Sequence, residues 1–549
     1  MGDVHDPYLL QRAHDEGWAD RFFAETVADA ILAQDPSEPI IIKGGISPSG
    51  VAHVGNFNEI IRGWFVAEVL RDRGHTVEQV FTSDDRDPLR TLPRQLADVD
   101  GAVVGLGEVD AGALGRNLGA PYSAIPDPFG ARASYAAHFT ALIEAEVAQL
   151  EIPVRMESTT ALYESGAFDP YIARVLEDVE QARSVLGRFQ DRVDDSYIPF
   201  NAVCQACGKI TETIEAVDLG ARTVTYRCTD LQIGEQTMTG CGDSATVPFS
   251  AGKLPWRFEW PAEWDLLGVD FEPFGKDHAE GSWPSGVAIA EEVYGTEAPV
   301  PMVYEWFTLD GAPMSSSAGN VISVDHLLEM VEPAVFRYFF ALSPQRARDL
   351  QLERLDQLVD AFDRFEAAYF EPSGDAAVDA FAAAAYPHVV ETVDPDVIRL
   401  PYTFAAVLGM TDDVELRREM ARNQGYIDRG TDPARIERAM RRVDHARRWA
   451  QRMGNAYDYR LQPELPEVQL EPAVLEALEA VAAVVDAGGD GEAIQTALYD
   501  AARAVDLEPQ RVFAAGYELF FGQPQGPRLG EFLGELDAGF VAARLRRQR

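Results

Sequence analysis

Residues 40–58, IIIKGGISPSGVAHVGNFN, constrain this chain more than any other stretch. Ile40, Ile41 and Ile42 form a β-branched apolar run after Pro39, suited to a short strand buried on both faces. Gly44, Gly45 and Gly50 punctuate a turn behind it. A helix is expected from about His53. Phe57, Ile60, Ile61, Trp64, Phe65 and Val69 recur at helical spacing, and Gly74 ends the pattern just after Arg71 and Arg73. HTVEQVFT, residues 75–82, then reads as a second strand. A strand, helix and strand in this order close as a right-handed βαβ unit, so the expected fold class is α/β, a Rossmann-like doubly wound parallel sheet.

A strand feeding a helix through a glycine-rich loop presents N–H groups and the positive end of a helix dipole, which suits phosphate. The loop matches neither G-x-x-x-x-G-K-[ST] nor G-x-G-x-x-G. It offers His53 and Asn56 within one turn instead, both able to donate to phosphate oxygens, and Gly55 leaves room for an adenine or ribose between them. Ser83, Asp84, Asp85, Arg86 and Asp87 follow the second strand, at the edge where such sheets gather ligands.

SPSGVAHVGN resembles the HIGH signature of class I aminoacyl-tRNA synthetases, with His53 as its first histidine and Asn56 in place of the second. MSSSAGN, Met314 to Asn320, resembles the companion KMSKS loop, and GKDHAEGSWPSG, Gly275 to Gly286, lies where that class places a further nucleotide and substrate loop. The ordered trio most resembles class I lysyl-tRNA synthetase, over roughly the first two thirds of the chain. The resemblance implies ATP-dependent ligation of L-lysine to its tRNA through a lysyl-adenylate, with Mg²⁺ accompanying ATP. It implies that His53 and Asn56 hold the triphosphate while Met314, Ser315, Ser316 and Ser317 close on it. Pro48, Gly50, Gly55 and Asp277 complete the ATP site, with Asp277 meeting the ribose. Gly45, Ser47, Trp256, His278 and Tyr304 are the implied lysine pocket. The last loop departs from the family, because Pro313 and Ala318 stand where lysines are expected; K⁺, Lys43 or Lys276 is expected to supply the missing charge. The alternatives are a glutamyl- or cysteinyl-type synthetase and a non-catalytic tRNA-binding paralogue.

The residues themselves favour a cationic amino acid. Lys253 to Gly281 carries Trp256, Trp260 and Trp264 beside acids, and a lysine ammonium gains from a carboxylate and from ring faces. Trp260 and Trp264 also read as core. Pro301 to Leu309 reads as the last apolar strand.

Cys204, Cys207, Cys228 and Cys241 are all the cysteines present. They fall in one short β-prone segment and read as a closed Cys₄ zinc ribbon with a structural Zn²⁺. Elsewhere, Glu16 to Gln34 reads as an amphipathic helix, residues 92–120 as an insertion, and the stretch up to Leu150 as a helix. Some archaeal relatives of the resembled family carry a metal near that helix; here Ala131 and Arg132 replace the ligands, leaving Asp127 and His138, and no metal is expected. Beyond about Ser343 the chain reads as an all-α domain, and the resemblance implies that it is an anticodon-binding helical cage. The expected organisation is residues 1–199 and 249–342 for the two halves of the catalytic domain, 200–248 for the ribbon and 343–549 for the helices.

The formal net charge is -43 and the four lysines are Lys43, Lys209, Lys253 and Lys276, every other cation being Arg. Such a surface fits a halophilic protein, since molar salt mutes self-repulsion. It lacks a basic stripe, so tRNA binding would lean on shape, stacking and base edges; no DNA partner is expected. No apolar run is long enough for a membrane span, and a cytoplasmic location is expected.

Overall fold

A computed structural model describes residues 5–13, 21–191, 193–233, 236–314 and 320–547. Contacts divide the chain into two compact units. One holds residues 1–326, 337–351 and 372–391, the other residues 327–336, 352–371 and 392–549.

The first unit is built on five parallel strands. In chain order its main elements are helix α1 (Phe23–Leu32), strand β1 (Ile40–Ile46), helix α2 (Asn58–Asp72), strand β2 (Val77–Ser83), helix α3 (Tyr135–Gln149), strand β3 (Arg155–Ser158), helix α4 (Trp256–Leu267), strand β4 (Phe271–Gly275) and strand β5 (Val300–Tyr304). The sheet runs β5-β4-β1-β2-β3. The order reverses between β1 and β4, the switch point outside which doubly wound sheets open a crevice. β1 pairs with β2 from Ile40↔Val77 to Ile46↔Ser83 and meets β4 at Ile42↔Phe271.

The β1 strand is longer than its isoleucines suggest. Gly44 and Gly45 belong to the strand and not to the turn, because pairing with β2 continues through Ser83. What requires glycine at Gly45 is close approach: a Cβ there would lie 2.4 Å from Thr82 Oγ1. Helix α1 covers only Phe23–Leu32 of the longer helix expected; residues 14–20, with Trp18, lie outside the described residues. Trp256 to Trp264 opens on a helix, α4, before the sheet resumes at β4. The last apolar run is two strands, β5 and Phe307–Leu309, and the latter pairs in parallel with Arg348–Leu350, a strand too short for periodicity to reveal.

α2 packs Ile60, Ile61, Phe65 and Leu70 into the core. Arg62 is also fully buried on it. Its guanidinium donates to the Phe340 and Leu342 carbonyls at 3.0 Å each, taking up acceptors left open at the end of the helix Pro333–Ala341. Residues 92–120 contribute Leu96 and Leu114 to an apolar cluster shared with Tyr122 and with Tyr135 and Phe139 of α3.

The second unit consists of helices, among them Pro433–Met453, Pro472–Asp486, Gly491–Ala504 and Pro509–Phe521. Arg442 anchors the longest, holding both Asp363 oxygens at 2.8 and 2.9 Å and Glu332 at 2.5 Å. Among the described residues no helix is long and apolar enough to cross a membrane.

Candidate active site

A cavity of about 560 Å³ opens at the carboxyl ends of β1, β2 and β4, at the switch point. Its lining includes five carboxylates, Glu59, Asp84, Asp87, Glu263 and Glu272, against the Lys43 ammonium and the Arg90 guanidinium. Lys43 sits at the bottom. Its Nζ is 2.9 Å from Glu263 and 3.0 Å from Glu272, and all three side chains are buried. Burial alone would depress its pKa, but Glu263 and Glu272 outweigh that and hold the ammonium above its ordinary range. Lys43 is therefore committed to these carboxylates and does not supply charge to a triphosphate. Lys276 is likewise paired, with Glu305 at 2.5 Å.

Three tryptophans one turn apart on α4 shape the wall. Trp260 and Trp264 donate their indole N–H groups to the two oxygens of Glu272, at 2.9 and 2.6 Å. Both are buried in an apolar cluster, as expected of core, yet Trp260 also lines the cavity. Trp256 stacks on Trp260 with ring centroids 5.0 Å apart and meets the His278 ring at 5.1 Å. Glu59, from the first turn of α2, accepts the Gly45 N–H at 2.9 Å and the Tyr304 hydroxyl at 3.0 Å. Burial pushes Glu59 up to about 7, and burial with Glu263 and Asp87 nearby raises Asp84 well above the carboxylate range.

Of the lysine-pocket residues implied by resemblance, Gly45, Ser47, Trp256 and His278 line this cavity. Tyr304 does not; it stands behind Glu59. The charged run after β2 divides: Asp84 and Asp87 face the cavity, whereas Asp85 is taken by Ser158, Thr159 and Thr160, and Arg86 by the Ser250 carbonyl. Glu59, Glu263 and Glu272 escape sequence reading. Nothing but their helical and strand spacing from Trp260 and Asn56 marks them, and acids are common elsewhere in the chain.

The residues implied for ATP surround the start of α2. Asn56 Oδ1 accepts the His53 N–H at 3.0 Å, which fixes the turn that precedes the helix. Among the described residues His53 Nδ1 is buried with no hydrogen-bond partner, and burial pulls the imidazole down to about 4, so it is a neutral hydrogen-bonding group near pH 7. Pro48 and Gly50 lie in the loop after β1, pinned where Tyr135 donates its hydroxyl to the Ser49 carbonyl at 2.9 Å. Asp277 follows β4, accepts the Trp306 indole N–H at 3.3 Å and stands 3.4 Å from His278.

Ser315, Ser316 and Ser317 lie outside the described residues, but both flanks of their loop meet this turn. A Cβ at Gly55 would be 3.6 Å from Met314 Cε, and Val54 donates its N–H to the Ile322 carbonyl at 2.9 Å. Asp127 and His138 stand 3.4 Å apart, and each has other duties. Asp127 closes a turn on the Phe129, Ala131 and Arg132 N–H groups, and His138 Nε2 is 3.0 Å from the Ala97 carbonyl.

The four cysteines converge, every Sγ within 4.8 Å of the others. Cys204 and Cys241 are 3.6 Å apart and Cys207 and Cys228 3.7 Å, close to the roughly 3.8 Å edge of a tetrahedron of sulfurs at about 2.3 Å from zinc. All four are free thiols. The donor set fits Zn²⁺ with no open position.

A family model described as tRNA synthetases class I (K) matches residues 16–389. The chain is 55% identical to a lysine–tRNA ligase of Halobacterium salinarum, the alignment covering 99% of each chain. It is equally similar, at 55%, to one of Haloarcula marismortui over 99% of each chain. A lysine–tRNA ligase of Pyrococcus horikoshii is 31% identical over 95% of this chain and 99% of its own.

Proposed function

This chain belongs to the class I tRNA synthetases and is a lysine–tRNA ligase, and from that premise we propose that the acidic, indole-walled cavity takes the lysine while the turn at His53 takes ATP. The observation that carries the reading is the cavity's excess of carboxylates beside exposed ring faces. An ammonium is attracted by both, whereas a glutamate side chain would be repelled. Among the halves of the site, Glu59 links them: it borders the lysine cavity three residues beyond Asn56.

In the first step the lysine carboxylate attacks the α-phosphate of ATP in line, and pyrophosphate leaves. The contribution of the chain is to hold both reactants and to place donors where charge grows. The neutral His53 imidazole and the Asn56 amide donate to phosphate oxygens, Asp277 orients the ribose, and Met314 with Ser315, Ser316 and Ser317 closes over the triphosphate. A hydroxyl of the terminal ribose of tRNA then attacks the lysyl carbonyl of the adenylate, the bond from that carbonyl to the phosphate oxygen breaks, and AMP leaves. Mg²⁺ arrives with the triphosphate, and K⁺ offsets the charge that the loop at Pro313 does not, since Lys43 and Lys276 are engaged. Zn²⁺ on Cys204, Cys207, Cys228 and Cys241 holds the ribbon of residues 200–248 together. Residues 343–549 read the tRNA, and the protein works in the cytoplasm of a halophile.

Lysine-dependent ATP–pyrophosphate exchange in concentrated KCl tests the assignment. Exchange with lysine and not with glutamate or cysteine is expected, and His53→Ala should slow it about a hundredfold, the usual cost of one transition-state donor. Exchange at the parent rate in that variant would remove His53 from the ATP site.

The pH dependence has a definite sign. Glu59, with its pKa raised to about 7, binds a proton in the empty cavity below neutrality and then presents no charge to an ammonium. KM for lysine should fall as pH rises from 6 to 8, changing about tenfold per unit below the pKa and levelling above it. A Glu59→Gln variant should flatten the profile; an unchanged profile would assign the titration elsewhere.

A further inference from the structure

The acidic cavity at the switch point has two unlike ends. At the floor Lys43 is locked between Glu263 and Glu272, all three buried, and the acids there favour an ammonium. At the rim stand Arg90 and Thr91, both exposed. Lysine carries an ammonium at each end of its chain but a single carboxylate, and that carboxylate would face the five of the cavity unless a cation met it. We propose that the Arg90 guanidinium holds the carboxylate of the bound lysine and thereby fixes which end of the amino acid faces ATP; the proposal rests on the reading of this cavity as the lysine site.

Arg90 is uncommitted where its neighbours are not. Among the described residues its guanidinium makes no hydrogen bond and no ion pair. Lys43 has two carboxylates, and Arg86, four residues earlier, donates to the Ser250 carbonyl at 2.8 Å and stands 3.5 Å from Glu164. Its field is felt at the rim all the same: burial raises the pKa of Glu212 and, with Asp87, that of Tyr122, and Arg90 pulls both back. A guanidinium is also the right shape, since its planar fork of donors meets both oxygens of a carboxylate at once.

The place suits the reaction. The segment from Arg90 to Gln95 passes against the loop that follows β1: a Cβ at Gly50 would lie 3.7 Å from Pro93 Cβ and 3.7 Å from the Gln95 carbonyl oxygen. Ser47 and Ser49 of that loop line the cavity, so the loop read as part of the ATP site forms the same rim. Tyr122 lines it too and stacks on Tyr135, whose hydroxyl donates to the Ser49 carbonyl. A carboxylate held at Arg90 is therefore presented on the side from which the α-phosphate comes, while the ammoniums turn towards Asp84, Glu263 and Glu272. Arg90 also borders a second cavity, of about 240 Å³, with Asn201 and Glu212 in its wall. A tRNA phosphate in that cavity would be a rival client, but Glu212 and Asp87 both repel it there.

The test measures lysine-dependent ATP–pyrophosphate exchange in concentrated KCl, with tRNA saturating, for the parent, Arg90→Gln and Arg90→Lys. Inhibition by cadaverine, which is lysine without its carboxylate, is measured beside it. Arg90 is exposed, so both variants should keep the parent's thermal midpoint. In Arg90→Gln the KM for lysine is expected to rise about tenfold, the worth of one charge-assisted pair in contact. The kcat should stay at the parent value or above it, because a pair made with the carboxylate does not outlast its conversion to an adenylate. Cadaverine inhibition should stay within about twofold, and Arg90→Lys should bring the lysine KM back to within about threefold of the parent. An unchanged KM for lysine would overturn the proposal, also where KM for tRNA rises in its place, since Arg90 would then serve a phosphate. Equal losses for lysine and cadaverine would overturn it as well, because Arg90 would then shape the cavity without meeting the carboxylate. A parent that shows no lysine-dependent exchange, or in which cadaverine does not compete with lysine, would instead overturn the reading of the cavity beneath the proposal, so the two failures are distinguishable.

Discussion

Lys43→Met is expected to destabilise the first unit by about 3–5 kcal/mol and to abolish lysine-dependent exchange. Removing one partner of a buried ion pair leaves the other's charge in low dielectric, which costs far more than the pair was worth. Here the two carboxylates fare differently. Glu272 keeps both indole donors, Trp260 and Trp264, when the ammonium is lost. Among the described residues Glu263 has only Lys43, at 2.9 Å. The deficit should therefore fall mainly on Glu263, and Lys43→Met/Glu263→Gln should recover a large part of it. Lys43→Arg should not restore the parent, because a planar fork does not occupy the place of a point charge. Thermal unfolding in concentrated KCl measures both variants. A parent-like midpoint for Lys43→Met would mean that the carboxylates are solvated or shared with a proton, and that the cavity floor is not the rigid ion cluster described.

The same cluster shows which parts of the site a sequence can carry. The parallel sheet is written locally, in β-branched runs and in the helical recurrence from Phe57 to Val69, so its existence could be read, whereas the order of its strands is set by tertiary pairing. His53, Asn56 and Met314 stand in short motifs inside the span that the tRNA synthetases class I (K) model matches, and the flanks of the Met314 loop meet the His53 turn. The acids of the cavity are a different matter. Glu59, Glu263 and Glu272 come from α2, α4 and β4, and only tertiary closure gathers them; in a chain with 90 Asp and Glu residues no spacing singles them out. Scarcity of lysine proved the better signal. In a surface stripped of lysine, Lys43 and Lys253 persist inside the fold because buried carboxylates require them, Lys276 persists against Glu305 and the Trp306 ring, and Lys209 reaches the Thr239 carbonyl. Lys43 was one of three candidates, with K⁺ and Lys276, for the charge missing beside ATP, since a sequence shows a cation without showing the carboxylates it pairs with, here Glu263 and Glu272. Gly45 was misread for a related reason: a glycine forced by the approach of Thr82 resembles one that permits a turn.

Cys228→Ser should release the metal and loosen the ribbon, and its effect should reach the lysine cavity along a covalent and hydrogen-bonded route. Structural zinc contributes on the order of 10–16 kcal/mol in small Cys-rich modules, more than the few short strands of residues 201–248 can replace. The parent is expected to hold one zinc per chain by atomic absorption, and the variant well under half of that. Hydrogen exchange should then accelerate through Thr223–Arg227 and Ser244–Pro248, which pair with each other next to Cys228. The ribbon is joined to the site through Asn201–Ala202, which pair with Gly252–Lys253. Lys253 in turn is ion-paired with Asp87, which lines the lysine cavity, and lies 2.9 Å from Glu259, to which Tyr163 donates its hydroxyl. When the ribbon frays, the strand that positions Lys253 loses its partner, and Asp87 loses the charge that holds it. KM for lysine should rise several-fold while the ATP dependence of exchange, set by the His53 turn, changes little. A metal-free variant with unaltered lysine KM would show that Lys253 is fixed by Asp87 and Glu259 alone, and that the ribbon serves only its own stability.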